Sequence, residues 1–505
     1  MSKEQTAINP TREKDYPEWY QQVIKASDMA ENSPTRGCMI IKPWGYGIWE
    51  TLQSELDQRI KETGHENAYF PLLIPLSFLE KEAEHVNGFA KECAVVTHHR
   101  LKAVDGKLVP EGKLEEPYVI RPTSETIIGD AFSRWIKSYR DLPVLINQWA
   151  NVFRWELRTR LFLRTAEFLW QEGHTAHATE EDARKEAMLA FDMYRDFVED
   201  VLAMPVICGE KPAHERFAGA VNTYSIEAMM QDRKALQAGT SHYLGTNFAT
   251  AQSIQYLDKD GEQKFCHTTS WGMSTRLIGG IVMVHSDDNG LRVPPKVSPK
   301  HIVIIPVIPK EDQSAAVMEY AESIYAELRE LTYNGSKLKV HFDKRDIKGG
   351  EKNWSWIKKG IPLRIEVGPR DIESKKVVLY RRDEEPGQKH FMTVEELKGS
   401  IISMLDQIQK NYFDQASNYL REHTYTNIKT LEEFTAFFTP KNIDKPEIHG
   451  GFVRAKWCMD PASLDIIDKL KVSIRNIPFD QSGTEGSCIL TGRPATTEVI
   501  FAKSY

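Results

Sequence analysis

The chain has 505 residues, 41% hydrophobic and 27% charged, with a formal net charge of −7 at pH 7. That length exceeds what one hydrophobic core serves and points to about three domains of ordinary size. The composition is that of a soluble globular protein, no stretch approaches the ~20 apolar residues of a membrane span, and the first residues are polar, so a cytoplasmic protein is expected. Six scattered cysteines, Cys38, Cys93, Cys208, Cys266, Cys458 and Cys488, form no CxxC pair and argue against a disulfide framework. The acidic balance hides an asymmetry: Lys337 to Arg382 holds fourteen Lys or Arg against six Asp or Glu, a local net of +8 that leaves −15 elsewhere. Such a run suits a solvated face or the docking of a polyanion.

In chain order, residues 45–62 have the spacing of an amphipathic helix and run into an apolar strand, NAYFPLLIP. Arg121-Pro122-Thr123 is a sound helix start and predicts a helix from Ser124 to Tyr139. Val144 to Glu172 is strand-like on both sides of a polar, arginine-rich turn, the pattern of an antiparallel hairpin with long arms. Thr179 to Asp182 caps a helix with apolar positions at Phe191, Tyr194, Val198 and Val201. The proline-rich VPPKVSPKH (Val293 to His301) reads as a linker. Beyond it HIVIIPVIP (His301 to Pro309) signals a buried strand, and a helix follows with Val317, Ala321, Ile324, Leu328 and Leu331 on one face. Strands at KLKVHF, PLRIEV and KKVVLY accompany a short helix near WSWIKK, and Thr393 to Glu396 is a capping box opening a helix that reaches about Phe413.

Two isolated arginines in apolar, structured segments, Arg154 and Arg276, are what holding a nucleotide triphosphate requires where no glycine-rich phosphate loop exists. Arg154 and Glu156 lie two apart and would share one side of a strand. They suit a phosphate fork beside a carboxylate that receives an amine or helps hold Mg²⁺, and equally a cross-strand salt bridge. Arg164 offers a second phosphate contact and Phe168 a face for a base. Trp170, Glu172 and His174 then alternate; a buried Glu and His need a polar partner, and a cationic amino group is one. Cys266-His267 looks like a thiol–imidazole dyad, but its place in a strand favours core packing.

The segments RPTSET, FRWELRTR with FLRTAEFLWQEGHTAH, QAGTSHYLGTNF, HTTSWGMSTRLIGG with HSDDNGLRVPP, and the terminal VIFAKSY together resemble class II aminoacyl-tRNA synthetases, specifically the prolyl-tRNA synthetase family of eukaryote-like and archaeal-like type. The resemblance spans nearly the whole chain. It implies an α+β and α/β multidomain protein: an antiparallel-sheet catalytic domain over 1–297, an α/β anticodon-binding domain over 298–408 and a small α+β C-terminal domain over 409–505. Residues 45–75 would be motif 1, building a homodimer interface; Phe153 to Phe168 motif 2; Ser274 to Gly280 motif 3.

By the same resemblance, Arg154 would hold the α-phosphate and the amino-acid carboxylate, and Arg276 would clamp the bent ATP from the other side. Glu156 and Phe168 would meet the adenine, Arg164 a phosphate, and Gln237 and Thr240 the ribose and a Mg²⁺, with Ser274 beside them. Thr123, Glu125, Trp170, Glu172, His174 and His242 would form the L-proline pocket. Lys358, Arg364, Glu366 and Arg370 stand where the family reads the guanines of a proline tRNA anticodon. The interval between Arg154 and Arg276 leaves no room for a hydrolytic editing insertion. Related C-terminal domains bind zinc with four cysteines; here Cys458 and Cys488 remain, the expected partners are Ser463 and Thr491, and zinc is not expected, although His449 could be recruited. Alternatives are a synthetase for threonine or glycine and an inactive tRNA-binding paralogue. The TSE, WQEGH and TSHYLG segments favour the prolyl enzymes, and the surviving motif arginines favour activity.

Overall fold

Period-two alternation in the middle of the chain and again near its end builds a single eleven-stranded sheet, seen in a computed structural model that describes residues 7–80, 92–442 and 447–505. Across it the strands run Thr424–Tyr425, Phe452–Lys456, Glu498–Ala502, Ser473–Pro478, Val206–Glu210, Asn222–Met229, Ala235–Gly245, His267–Ser274, Glu167–His177, Val144–Phe153 and Glu66–Asn67. Pairing is antiparallel except at the two edges. The long-armed hairpin is present, paired from Val144↔Ala176 to Phe153↔Glu167. Its connection is no simple polar turn, because Leu161, Phe162 and Leu163 are buried and the Tyr20 hydroxyl donates to the Leu161 carbonyl at 2.7 Å.

The Glu180–Asp200 helix covers one face of this sheet. Thr179 accepts the Asp182 amide as its cap, and Phe191, Tyr194, Phe197 and Val198 are buried, each such side chain stabilising by roughly 1.5–3 kcal/mol. The Tyr16–Ala26 helix packs against Arg276–His285.

Several elements depart from the sequence expectations. The first amphipathic helix spans Pro43–Glu62, starting earlier because Pro43 suits a first helical turn. The apolar segment after it is two short strands rather than one: Glu66–Asn67 joins the large sheet and Leu73–Pro75 pairs with Lys107–Ile120, with Pro71 between them unable to donate. The helix expected to reach Tyr139 is Glu125–Trp135, followed by a 3₁₀ turn over Tyr139–Asp141 that Ser138 and Asp141 cap. The expected linker is a packed seam: Val293, Pro294, Pro295, Val297 and Ser298 are buried, and the Leu291 amide donates to the Lys358 carbonyl at 3.0 Å.

Downstream, five strands in the order Val340–Phe342, Ile302–Pro306, Leu363–Val367, Lys376–Arg381 and His390–Thr393 form a mixed sheet. The Ser314–Leu328 helix buries Val317, Ala321, Ile324 and Leu328 against it, and Leu331 lies beyond the helix end. Thr393 and Glu396 form the expected capping box, but the helix they open runs over Val394–Glu422, 29 residues. Without glycine or proline in its second half nothing stops it at Phe413, and the boundary placed at 408 falls inside it. Its Tyr412 ring stacks on His285 at 5.4 Å and its Tyr419 hydroxyl donates to the Gln231 carbonyl, returning the chain to the first unit. The C-terminal strands then extend the large sheet through Ile477↔Glu210 and Pro478↔Gly209. A Cβ on Gly209 would stand 2.4 Å from the Ile477 carbonyl oxygen, so this junction needs glycine.

The seam between the first two units is pinned by Arg382, 2% exposed, which donates to both Asp287 oxygens at 2.8 and 2.6 Å and to the Leu291 and Ile357 carbonyls at 3.1 Å. Burial favours the neutral carboxyl, yet Arg382 and Arg292 outweigh it and hold Asp287 well below the usual carboxylate range. Arg382→Met is expected to cost about 3–5 kcal/mol in urea unfolding, since it removes the two-bond partner of a buried carboxylate and leaves it Arg292 as a cation. Because the folded pKa is depressed, the stabilisation is complete above the unfolded value near ~4 and is lost as pH falls from there. Asp287→Asn should flatten that acid limb in a stability–pH profile.

Candidate active site

A cavity of about 300 Å³ opens on the face of the large sheet turned away from the Glu180–Asp200 helix. Parity decides what enters it. On Glu167–His177, Trp170, Glu172 and His174 line the cavity, whereas Gln171 points the other way and accepts the Tyr194 hydroxyl of the covering helix. Ser270, Gly272 and Ser274 line it from the next strand. On Ala235–Gly245 the pairing shifts between Ile226 and Glu227, and this bulge lets Gln237 and Thr240, three apart, face the same space as His242.

The acidic groups are held by their neighbours. Glu172 accepts Ser124 Oγ at 2.5 Å, Gln148 Nε2 at 2.8 Å and lies 3.0 Å from His174 Nε2. Burial would raise its pKa, but His174, Ser124 and Gln148 prevail and hold it down. Ser124 heads the Glu125–Trp135 helix, and its hydroxyl serves Glu172 rather than capping that helix. Glu172 pushes His174 upward despite burial, while burial takes His242 down to about 3, leaving it neutral beside Thr223 and stacked on Phe217 at 4.7 Å. Glu125 accepts the Thr123 hydroxyl at the rim.

Arg154 Nε donates to the Pro122 carbonyl at 2.8 Å, and its guanidinium lies 5.7 Å from the Phe168 ring and 5.6 Å from the Trp170 ring. Burial lowers its pKa, countered by Glu125 and Glu172. Arg276 opens the Arg276–His285 helix and donates Nε to the Leu163 carbonyl. Burial, then the nearby cations Arg164 and Arg154, push Arg276 down to about 10. The site therefore concentrates positive charge that a polyanion would relieve.

Twelve expected residues come together here: Thr123, Glu125, Arg154, Phe168, Trp170, Glu172, His174, Gln237, Thr240, His242, Ser274 and Arg276. Glu156 and Arg164 do not line the cavity. The strand ends at Phe153, so Arg154 and Glu156 share no strand face, and the salt bridge that forms is Glu156–Arg164, 3.0 Å across the loop. Sequence reasoning missed Lys211, Glu215, Arg216, Phe217 and Thr223 on the opposite wall. Polar alternation of Thr223, Ser225 and Glu227 in a strand was the available signal.

Elsewhere, Arg364 and Glu366 share one face of Leu363–Val367; Arg364 is 2% exposed with its guanidinium over Tyr380, and Glu366 accepts the Tyr380 hydroxyl at 2.9 Å. Lys358 is half-buried and Arg370 exposed. Cys266 is buried, which pushes its thiol up to about 12, and His267 instead contacts the Tyr243 hydroxyl at 2.9 Å. Cys458 Sγ contacts Thr491 Oγ1 at 3.5 Å and accepts from Arg493 at 3.4 Å, while the Ser463 hydroxyl joins Trp457 and the Asp460 carbonyl.

Three family descriptions match this chain: tRNA synthetase class II core domain (G, H, P, S and T) over residues 109–285, anticodon binding domain over 301–404, and prolyl-tRNA synthetase, C-terminal, over 445–505. Among relatives, the proline–tRNA ligase of Protochlamydia amoebophila is 64% identical over 100% of this chain and 99% of its own length. Those of Paramagnetospirillum magneticum and Bdellovibrio bacteriovorus are 61% and 55% identical, each covering at least 99% of both chains. With its polyanion-ready cavity and this likeness from end to end, the chain belongs to the prolyl-tRNA synthetase family of class II aminoacyl-tRNA synthetases.

Proposed function

We propose that this chain activates L-proline with ATP and transfers the prolyl group to the terminal ribose of a proline tRNA. The observation that carries the reading is the convergence of Arg154 and Arg276 beside a pocket floored by Glu172 and His174. Arg154 binds the α-phosphate and the proline carboxylate, and Arg276 binds the far end of a bent triphosphate. Phe168 stacks on adenine, Gln237 and Thr240 meet the ribose, and Arg164 and Glu156 act from the adjoining loop. Thr123, Glu125, Trp170, Glu172, His174 and His242 enclose the proline, Glu125 accepting its secondary ammonium.

No protein nucleophile is required. The proline carboxylate attacks the α-phosphorus in line and pyrophosphate leaves, while the arginines stabilise charge on the phosphoryl oxygens. Gln237 and Thr240 line the cavity and carry neutral oxygens, the kind of donor that would suit a hard cation beside phosphate. When bound, Mg²⁺ would neutralise phosphate charge. The tRNA ribose hydroxyl then attacks the mixed anhydride and AMP leaves. Lys358, Arg364, Glu366 and Arg370 are the anticodon candidates; the buried Arg364 is better suited to holding Tyr380 than to meeting a base.

A homodimer is part of the proposal, supported by exposed apolar side chains around motif 1: Ile40, Tyr46, Tyr69 and Leu73. No helix among the described residues is long and apolar enough to cross a membrane, and a cytoplasmic location fits the activity.

Arg154→Ala and Arg276→Ala should each lower proline-dependent ATP–pyrophosphate exchange by at least ~10²-fold while tRNA affinity in filter binding changes little. An equal loss of tRNA binding would contradict the division of labour, and a stronger exchange response to threonine than to proline would contradict the substrate. The C-terminal domain is proposed to be metal-free. Elemental analysis should find less than stoichiometric zinc; one zinc per chain, lost in Cys458→Ala, would overturn that assignment.

A further inference from the structure

One buried charged cluster beside the cavity has no part in the chemistry above. Glu227 is fully buried. Its Oε1 accepts Lys211 Nζ at 2.9 Å and Ser225 Oγ at 3.2 Å, and its Oε2 accepts Nε and Nη2 of Arg475 at 3.1 and 2.9 Å. Lys211 and Arg475 are only 3% and 7% exposed, and Arg475 Nη1 also donates to Ser473 Oγ at 2.9 Å. Three segments meet at this carboxylate: Asn222–Met229, the C-terminal strand Ser473–Pro478, and the chain leaving Val206–Glu210. Two cations and one anion leave a net positive charge where screening by solvent is weak.

The cluster adjoins the site. Glu227 lies directly opposite Gln237 across the strand pair, and Gln237 and Lys211 both line the cavity. Lys211 begins the segment carrying Arg216 and Phe217, which walls the cavity, and Phe217 stacks on His242. Glu227 and Arg475 are both within electrostatic reach of the Arg276 guanidinium. A junction serving architecture alone does not need this arrangement, because a buried ion triad carries a large desolvation cost and apolar replacements are often at least as stable.

We propose that Arg475, supplied by the C-terminal region, is a positioning residue for adenylate formation: through Glu227 it fixes Lys211 and the wall that begins there, and it maintains the positive charge beside Arg276. The proposal rests on the assignment of ATP to this cavity. It gives the C-terminal region a role in the first half-reaction, before any tRNA is bound.

The test is ATP–pyrophosphate exchange with the full-length chain carrying Arg475→Met, Arg475→Lys or Arg454→Met. Arg454 lies two strands away, on Phe452–Lys456, and pairs with Glu498 and Asp480 away from the cavity, which makes it the control. Arg475→Met should raise KM for ATP about tenfold. Arg475→Lys, which keeps the charge, should recover most of that loss, and a further substitution, Arg475→Gln, which can still hydrogen-bond Glu227 but carries no charge, should raise KM several-fold and serves where the methionine variant does not fold. Arg454→Met should keep the parent KM. A KM for ATP within twofold of the parent in Arg475→Met, or in Arg475→Gln if the methionine variant does not fold, rejects the inference, as does an equal shift in Arg454→Met. Arg276→Ala run in parallel separates the two claims: exchange retained there rejects the ATP site itself, whereas exchange lost there with an unchanged KM in Arg475→Met rejects only the role of Arg475.

Discussion

The register of Glu167–His177 between its two neighbours is the constraint on which the site depends. Ten pairs on one side and eight on the other fix it, and a slip of one residue would turn Trp170, Glu172 and His174 toward the covering helix and put Gln171 and Thr175 into the cavity. Gly173 helps to lock that register. It stands opposite Trp271, and a Cβ there would come within 2.1 Å of the indole, so the ring seats only over glycine. The same indole meets His65 edge-on at 5.1 Å and Tyr194 at 5.9 Å, which ties its strand, His267–Ser274, to the segment after the Pro43–Glu62 helix and to the covering helix.

On this frame the charges are arranged asymmetrically. The carboxylates are satisfied internally: Glu172 has three partners of its own and needs no substrate to tolerate burial. His174, with Ser124 and Gln148, holds the Glu172 pKa down against burial. The arginines are the opposite case. Arg276 is destabilised by burial and by the neighbouring cations Arg164, Arg154 and Arg475, a condition that an anion in the cavity would relieve. Donors fixed before the substrate enters need no reorganisation when charge develops, which is where such sites derive most of their effect.

What could be read from the sequence follows from how local each signal is. The N-cap at Thr179, the capping box at Thr393, the covering helix and the hairpin arms all rest on signals within one segment, and they stand as expected. Twelve cavity residues were legible because family motifs mark them individually. Glu156 was misplaced because the strand end is set by long-range bonds, Arg154 to Ala166 and Ala166 to Gly37, that no local pattern encodes. The bulge that brings Gln237 and Thr240 together, and the wall from Lys211 to Phe217, are irregular backbone with no period to detect. Prolines from Pro294 to Pro299 are the pattern of a linker, but Val293 and Val297 supply apolar surface, and its burial makes the segment a packed seam.

In the C-terminal region Cys458, Ser463, Cys488 and Thr491 are all engaged in hydrogen bonds or packing. A tetrahedral metal site needs four donors with free lone pairs, and Ser463 and Thr491 are poor donors that are also engaged elsewhere, with Trp457, Asp460 and Arg493. Arg493 pairs with Asp460 and donates to Cys458, placing a covalently attached cation beside this partly exposed thiol. Cys488 has gone the other way, 2% exposed in a core with Phe434, Phe438, Ile474, Val499 and Phe501. Packing therefore holds the strands that present Arg475, and the connection from this region to the cavity needs only that the Ser473–Pro478 strand keep its place in the large sheet.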